Sequence, residues 1–219
     1  EPYTSIFKNN TWLAPPNFKE PLSKKKDHYW NTTVGRKHPY WKTKKLPTPT
    51  KDIKQIRNDF QKWGYALIEE GMSKDQCSLF IERLLDQAEG EKLAGVNSIT
   101  PSGQYVHTLI NKGKIFRGCI EQDPSCVQAG LLIESFLNET LGKGWICHSF
   151  LANGAEKGYY PQVLHLDQSP LSPWITEEAP ALVNTLYIPQ DVNEVNGGTL
   201  IIPGCLLYTS DAADDRIGV

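Results

Sequence analysis

The residues best suited to chemistry sit close together in the stretch Gln162-Val163-Leu164-His165-Leu166-Asp167-Gln168. On an extended backbone alternate side chains face opposite ways, so His165 and Asp167 share a side while Leu164 and Leu166 take the other. A neutral imidazole and a carboxylate aimed at one point can grip a divalent metal. His-x-Asp supplies two members of the two-histidine, one-carboxylate facial triad, whose nitrogen and oxygen ligands hold Fe(II) and leave one face open. As a bare pattern it is weak, because the same triplet arises by chance on many surfaces.

The elements that must position this pair follow from the rest of the chain. Ile53, Ile56, Phe60 and Trp63 recur at helical spacing, and Gly64 suits the position just past a helix end. YALIEE (65–70) reads as a short strand. Ser73 with Gln76 three residues on forms a capping-box pattern, opening a helix whose apolar stripe is Cys77, Phe80, Ile81, Leu84, Leu85 and Ala88. A third helix is expected from Asp123-Pro124 to Gly142, with Val127, Leu131, Glu134, Leu137 and Leu141 as an imperfect stripe. Beyond Gly144 the texture changes. WICHSFLAN (145–153), QVLHLDQ (162–168), ALVNTLYIP (181–189) and GTLIIP (198–203) read as strands between Gly, Pro and Asn turns. Helices followed by strands predict an α+β fold, with the helices outside a β-sandwich or barrel.

Composition limits the function classes. The chain has 219 residues, 39% hydrophobic and 22% charged, which suits one globular domain with a real core. No apolar run approaches the roughly 20 residues a membrane-spanning helix needs, and the first residues lack the apolar centre of a secretory signal. The cysteines at 77, 119, 126, 147 and 205 form no CxxC pair, which predicts buried thiols in a reducing compartment and a cytoplasmic location. Residues 1–51 form a basic arm and linker with eleven Lys/Arg against three Asp/Glu, and with the aromatic clusters His28-Tyr29-Trp30 and His38-Pro39-Tyr40-Trp41. Such interleaving suits nucleic acid. No nucleic-acid-binding motif accompanies it, however, and the simpler expectation is an extension whose aromatics pack while its lysines stay solvated.

The flanks of the His-x-Asp stretch make it more specific. His165-Leu166-Asp167-Gln168, a following segment with Asn184, Asp191-Val192, Asn196-Gly197-Gly198 and Ile202-Pro203-Gly204 together resemble the phytanoyl-CoA dioxygenase family. VHTLINKGKIF and the helix ending at Leu141-Gly142 also fall where that family places comparable elements, so the resemblance spans 52–204. It implies a double-stranded β-helix (jelly-roll, cupin-like) core and an Fe(II)- and 2-oxoglutarate-dependent dioxygenase. Such an enzyme hydroxylates a C–H bond of a small molecule with O₂ while 2-oxoglutarate becomes succinate and CO₂. His165 and Asp167 become iron ligands. Gln162 and Asn184 become candidates for contact with 2-oxoglutarate, each also readable as an ordinary polar residue of its strand. Asn196-Gly197-Gly198 is read as a structural turn. The family's second histidine lies downstream, so His107 and His148 do not match it, and His148 is expected in the core or a pocket wall.

Two rival readings stand beside this one. A non-catalytic jelly-roll binding or structural domain would keep the fold without the oxygenase, and another cupin-like metal enzyme would act without 2-oxoglutarate. Neither nucleic acid nor a membrane is an expected partner, and the residues say nothing of the oligomeric state.

The family pattern breaks after Gly204. No histidine follows His165, and Arg216 is the only basic residue after Asp167, so neither a third ligand nor a carboxylate clamp has a downstream candidate. The eleven residues Cys205 to Asp215, CLLYTSDAADD, read as translated mosaic-end sequencing adapter, and Arg216-Ile217-Gly218-Val219 fits the index and fixed bases that follow it. Residues 205–219 are therefore expected to be non-native, and the jelly roll incomplete at its C-terminus. On that reading this chain binds iron poorly and shows no oxygenase turnover. Re-amplifying the source DNA across the codon for Gly204 is expected to give a different continuation; a gene that encodes CLLYTSDAADD would end the idea.

Overall fold

The computed structural model describes residues 42–154, 159, 162, 165, 167, 180–193 and 196–204, and the backbone of 7–8 and 11–12. The aromatic clusters of the basic arm and the tail 205–219 lie outside the described residues. Two short strands, β1 (Phe7–Lys8) and β2 (Thr11–Trp12), pair antiparallel near the N-terminus.

Helix α1 (Ile53–Trp63) begins where Asp52 accepts a hydrogen bond from the Lys54 N–H at 2.9 Å. It ends where Gly64, at φ 74°, donates to the Phe60 carbonyl at 2.8 Å. Helix α2 (Lys74–Leu93) opens with the expected capping box. Ser73 Oγ accepts from the Gln76 N–H at 3.2 Å, and Gln76 Oε1 accepts from the Ser73 N–H at 2.9 Å. Its stripe is narrower than predicted. Phe80 is buried and Ile81, Leu84 and Ala88 are half-buried, whereas Leu85 is 63% exposed. The inward face is shared instead with a polar ladder. Arg83 Nη2 donates to Gln87 Oε1 at 2.6 Å, Gln87 Nε2 donates to Glu91 Oε1 at 3.0 Å, and Lys112 pairs with the buried Glu91 carboxylate.

A separate short helix, α3 (Lys114–Ile120), precedes the helix expected over 123–142, which forms as α4 (Gly130–Leu141), with the expected end at Gly142 but a later start. Between them Gln122 adopts φ 54°, and Asp123 Oδ1 accepts from the Ser125 N–H at 2.8 Å, a turn that Pro124 supports. The first residue of α4 is a glycine where the chain passes very close: a Cβ on Gly130 would lie 2.1 Å from the Gln122 carbonyl oxygen. The face that α4 buries is set by packing, and it overlaps the predicted stripe only in part, at Leu137. Ile133, Phe136 and Leu137 are buried and Leu131 is 69% exposed, so the predicted stripe is displaced.

Strands β3 (Ser98–Thr100), β4 (Gly103–Val106) and β5 (Ala152–Gly154) form an antiparallel sheet with β4 in the centre. The fold is thus mixed helix and sheet. The expected strand at 65–70 is reduced to one parallel bridge, Thr50 to Ile68, and only the end of 145–153 enters the sheet. Among the described residues of 162–168, 181–189 and 198–203 there is no strand. A strand exists only with a backbone partner, and no ladder includes the described residues of these segments. Sidedness survives without one: Val183 and Tyr187 pack on the core, while Leu186 and Ile188 are exposed. Asn196-Gly197 forms the expected turn, with Gly197 at φ 96°.

The core gathers Ile56, Phe80, Leu109, Phe116, Val127 and Ile133 from the helices and the loops between them. Edge-to-face aromatics carry it outward. Phe80 meets Phe116 at 5.0 Å between ring centroids, Phe116 meets Phe150 at 6.5 Å, and Phe150 meets Tyr187 at 6.0 Å. The Tyr187 hydroxyl donates to the Cys119 carbonyl at 2.9 Å, which pins the 183–188 segment to α3. Among the described residues no helix is long and apolar enough to cross a membrane.

Candidate functional site

The side chains of His165 and Asp167 approach each other. His165 Nε2 stands 3.1 Å from Asp167 Oδ1, and each side chain is 48% exposed. The second carboxylate oxygen of Asp167 accepts a hydrogen bond from Asn184 Nδ2. Asn184 therefore joins the site through Asp167. An amide that holds one oxygen of a carboxylate fixes the direction of the other, the usual service of an outer-shell partner at a metal ligand.

Gln162 reaches a different anchor. Its Nε2 donates to the hydroxyl of Tyr105 on β4. The Tyr105 ring stacks on His107 with centroids 5.7 Å apart and planes 20° from parallel, and a His107 ring nitrogen lies 3.3 Å from Ser98 Oγ. Strand alternation explains the grouping. Gln104 and Val106 point into the protein, and Tyr105 and His107 share the opposite face. Sequence reading passed over Tyr105, although the pattern Gln104-Tyr105-Val106-His107 carried a signal for it: an outward aromatic two residues before an outward histidine.

The four expected site residues are thus divided. His165, Asp167 and Asn184 come together, and Gln162 is turned to the sheet. His148 is exposed rather than set in the core or a pocket wall, because it lies outside the short strand that begins at Ala152. Among the described residues no group of three or more His, Cys, Asp or Glu is gathered as a metal site.

The pair nonetheless fits part of an octahedral ion. Two adjacent ligands each about 2.1 Å from such a centre stand about 3.0 Å apart, close to the separation of His165 Nε2 and Asp167 Oδ1. The donor types, imidazole nitrogen and carboxylate oxygen, suit Fe(II). The same separation also suits a direct hydrogen bond between the two groups.

Nucleophilic cysteine chemistry has no support here. Burial, aided by the neighbouring Cys126, pushes the Cys119 thiol up to about 12, and burial also raises Cys77 and Cys147. A thiol so raised stays protonated and unreactive at neutral pH. All four described cysteines are free. Cys119 and Cys126 are buried as expected, Cys77 is half-buried, and Cys147 is exposed. A groove of about 590 Å³ runs between the start of α2 and residues 188–192, lined by Met72, Cys77, Ile81 and Val192 among others, and includes none of the four expected site residues.

Comparisons with protein-family models, with curated proteins and with solved structures find no match to this chain.

Proposed function

We propose that the chain carries part of a non-haem Fe(II)/2-oxoglutarate-dependent oxygenase of the phytanoyl-CoA dioxygenase type, with residues 52–204 built on a jelly-roll plan. The observation that supports this reading is the approach of His165 Nε2 to Asp167 Oδ1 at 3.1 Å, with Asn184 bonded to the other carboxylate oxygen. His165 would ligate through Nε2 as the neutral imidazole, and Asp167 through Oδ1. Asn184 would keep Asp167 in that orientation, so that the carboxylate presents one oxygen toward the imidazole. Bound Fe(II), with 2-oxoglutarate and O₂, supplies the oxidising power to hydroxylate a C–H bond of a small molecule. Gln162, already donating to Tyr105, has one amide hydrogen and its carbonyl oxygen left for a ligand.

A non-catalytic jelly-roll module is the second reading. It is favoured by the way the two half-exposed side chains face each other, as an ordinary surface pair would. Mn(II), which takes the same oxygen and nitrogen donors, separates the two readings. Titration of the full chain, followed by paramagnetic broadening of the Asn184 side-chain amide signals, is expected to show weak uptake. Asp167→Ala and His165→Ala are each expected to weaken it at least about tenfold. Equal Mn(II) behaviour in the wild type and both variants would favour the non-catalytic module.

A further inference from the structure

Among the described residues of 162–168 no strand ladder forms. Side-chain contacts fall at both ends of the stretch instead. At one end Asp167 is held by Asn184, whose own segment is pinned by Tyr187 to the Cys119 carbonyl at 2.9 Å. At the other end Gln162 is bonded to Tyr105.

Tyr105 is a firm anchor. It sits on the central strand, with Ser98 opposite it on β3 and Asn153 opposite it on β5, so its backbone cannot shift without disturbing both ladders. Its ring is backed by His107, which is itself tied to Ser98 at 3.3 Å. Gln162 lies three positions before His165, a span of about 10 Å at full extension. A fixed point that near limits where the imidazole can stand.

We propose that Tyr105 is a positioning residue for the His165–Asp167 pair, acting through Gln162 and braced by His107. Its purpose rests on the metal-binding reading given above; the positioning itself is open to test without metal. With the phenol hydroxyl gone, the stretch keeps its contact at Asn184 and loses the one at Gln162. The separation of Nε2 and Oδ1 then loses its definition, and the adjacent-ligand geometry with it.

The test uses the full chain with Tyr105→Phe, Gln162→Leu and the double variant. In the metal-free protein each single change is expected to move the His165 ring and Asp167 amide resonances in the same direction. The double variant is expected to add nothing, since both changes break one contact. Signals from Phe116 and Ile133 in the core are expected to stay in place, which a general loss of stability would not allow. Mn(II) affinity is expected to fall about tenfold, the lower end of losses from outer-shell partners.

Unmoved His165 and Asp167 resonances in Tyr105→Phe would overturn the proposal. If that variant fails to fold, Gln162→Leu decides alone, because Gln162 is exposed and its loss leaves the sheet intact. A wild-type chain that takes up no Mn(II) would defeat the metal reading, while the metal-free resonances still decide the positioning.

Discussion

Phe116→Ala is expected to remove about 3–5 kcal/mol of stability, the usual range for deleting a buried aromatic ring. Phe116 is fully buried, and its ring links Phe80 on α2 to Phe150 before β5. Through Phe150 the chain of contacts continues to Tyr187 and hence to the segment that carries Asn184. Little can collapse into the vacated space, because rigid rings from two other elements flank it. Against a total stability of about 5–15 kcal/mol for a typical domain, the loss is large enough to populate the unfolded state. Urea unfolding followed by circular dichroism would show it as a lowered midpoint with an unchanged slope. Phe116→Leu, which keeps most of the volume, is expected to lose about 1–1.5 kcal/mol. A Phe116→Ala loss below about 1 kcal/mol would mean that this ring does not knit the core together.

Lys112→Met carries the second large effect, and its pH dependence identifies the cause. Glu91 is 8% exposed. Burial acts to raise its carboxyl, but the hydrogen bonds from Lys112 and Gln87 and the nearby positive charge outweigh burial and hold it below the usual carboxylate range. A carboxylate depressed in the folded state stabilises the protein above its unfolded pKa of about 4.3. That contribution disappears as pH falls through the still lower folded value. With Lys112 replaced, Glu91 is left as a buried charge with only the Gln87 amide for company. Breaking such a pair costs about 3–5 kcal/mol when both partners are deeply buried. Lys112 keeps 23% side-chain exposure, so about 2–3 kcal/mol is expected at neutral pH. Without Lys112 burial raises the Glu91 carboxyl, so the variant protonates it first. The gap between the two proteins should therefore narrow as pH falls from above the usual carboxylate range to the still lower wild-type value. Unfolding midpoints for both proteins from pH 7 to pH 3 measure this. A gap that stays constant across that range would point to lost packing of the lysine stem in place of the ion pair.

The local signals were legible because their physics is local. Ser73 with Gln76, and Asp52 before Ile53, satisfy helix N–H groups within a few residues of themselves, and both caps form as their residue types predict. Gly64 ends α1 for the same kind of reason, since a left-handed residue there is favoured by glycine. His165 and Asp167, two positions apart, also meet locally, at 3.1 Å.

What failed depended on partners distant in the chain. The strands expected over 181–189 and 198–203 have the right residue types and, at Val183 and Tyr187, the right sidedness, yet they find no ladder among the described residues. The helix expected from Asp123 starts only at Gly130, after a turn at Gln122–Ser125 and a close pass of Gly130 against the Gln122 carbonyl, a packing event that no periodicity announces. Leu85 and Leu131 fit their stripes on paper and face outward, because each helix buries a different arc from the one its apolar count suggests. At the site, residue type alone marked Asn184 as polar and well placed, but only the folded chain turned its amide onto Asp167, 17 positions away. Gln162 and Tyr105 are 57 positions apart. The sequence by itself therefore determined the caps and the helix ends, all set by interactions within about four residues. The tertiary structure alone decided which side chains hold the His165–Asp167 pair in place, because contacts between remote residues exist only once packing has chosen the path of the chain.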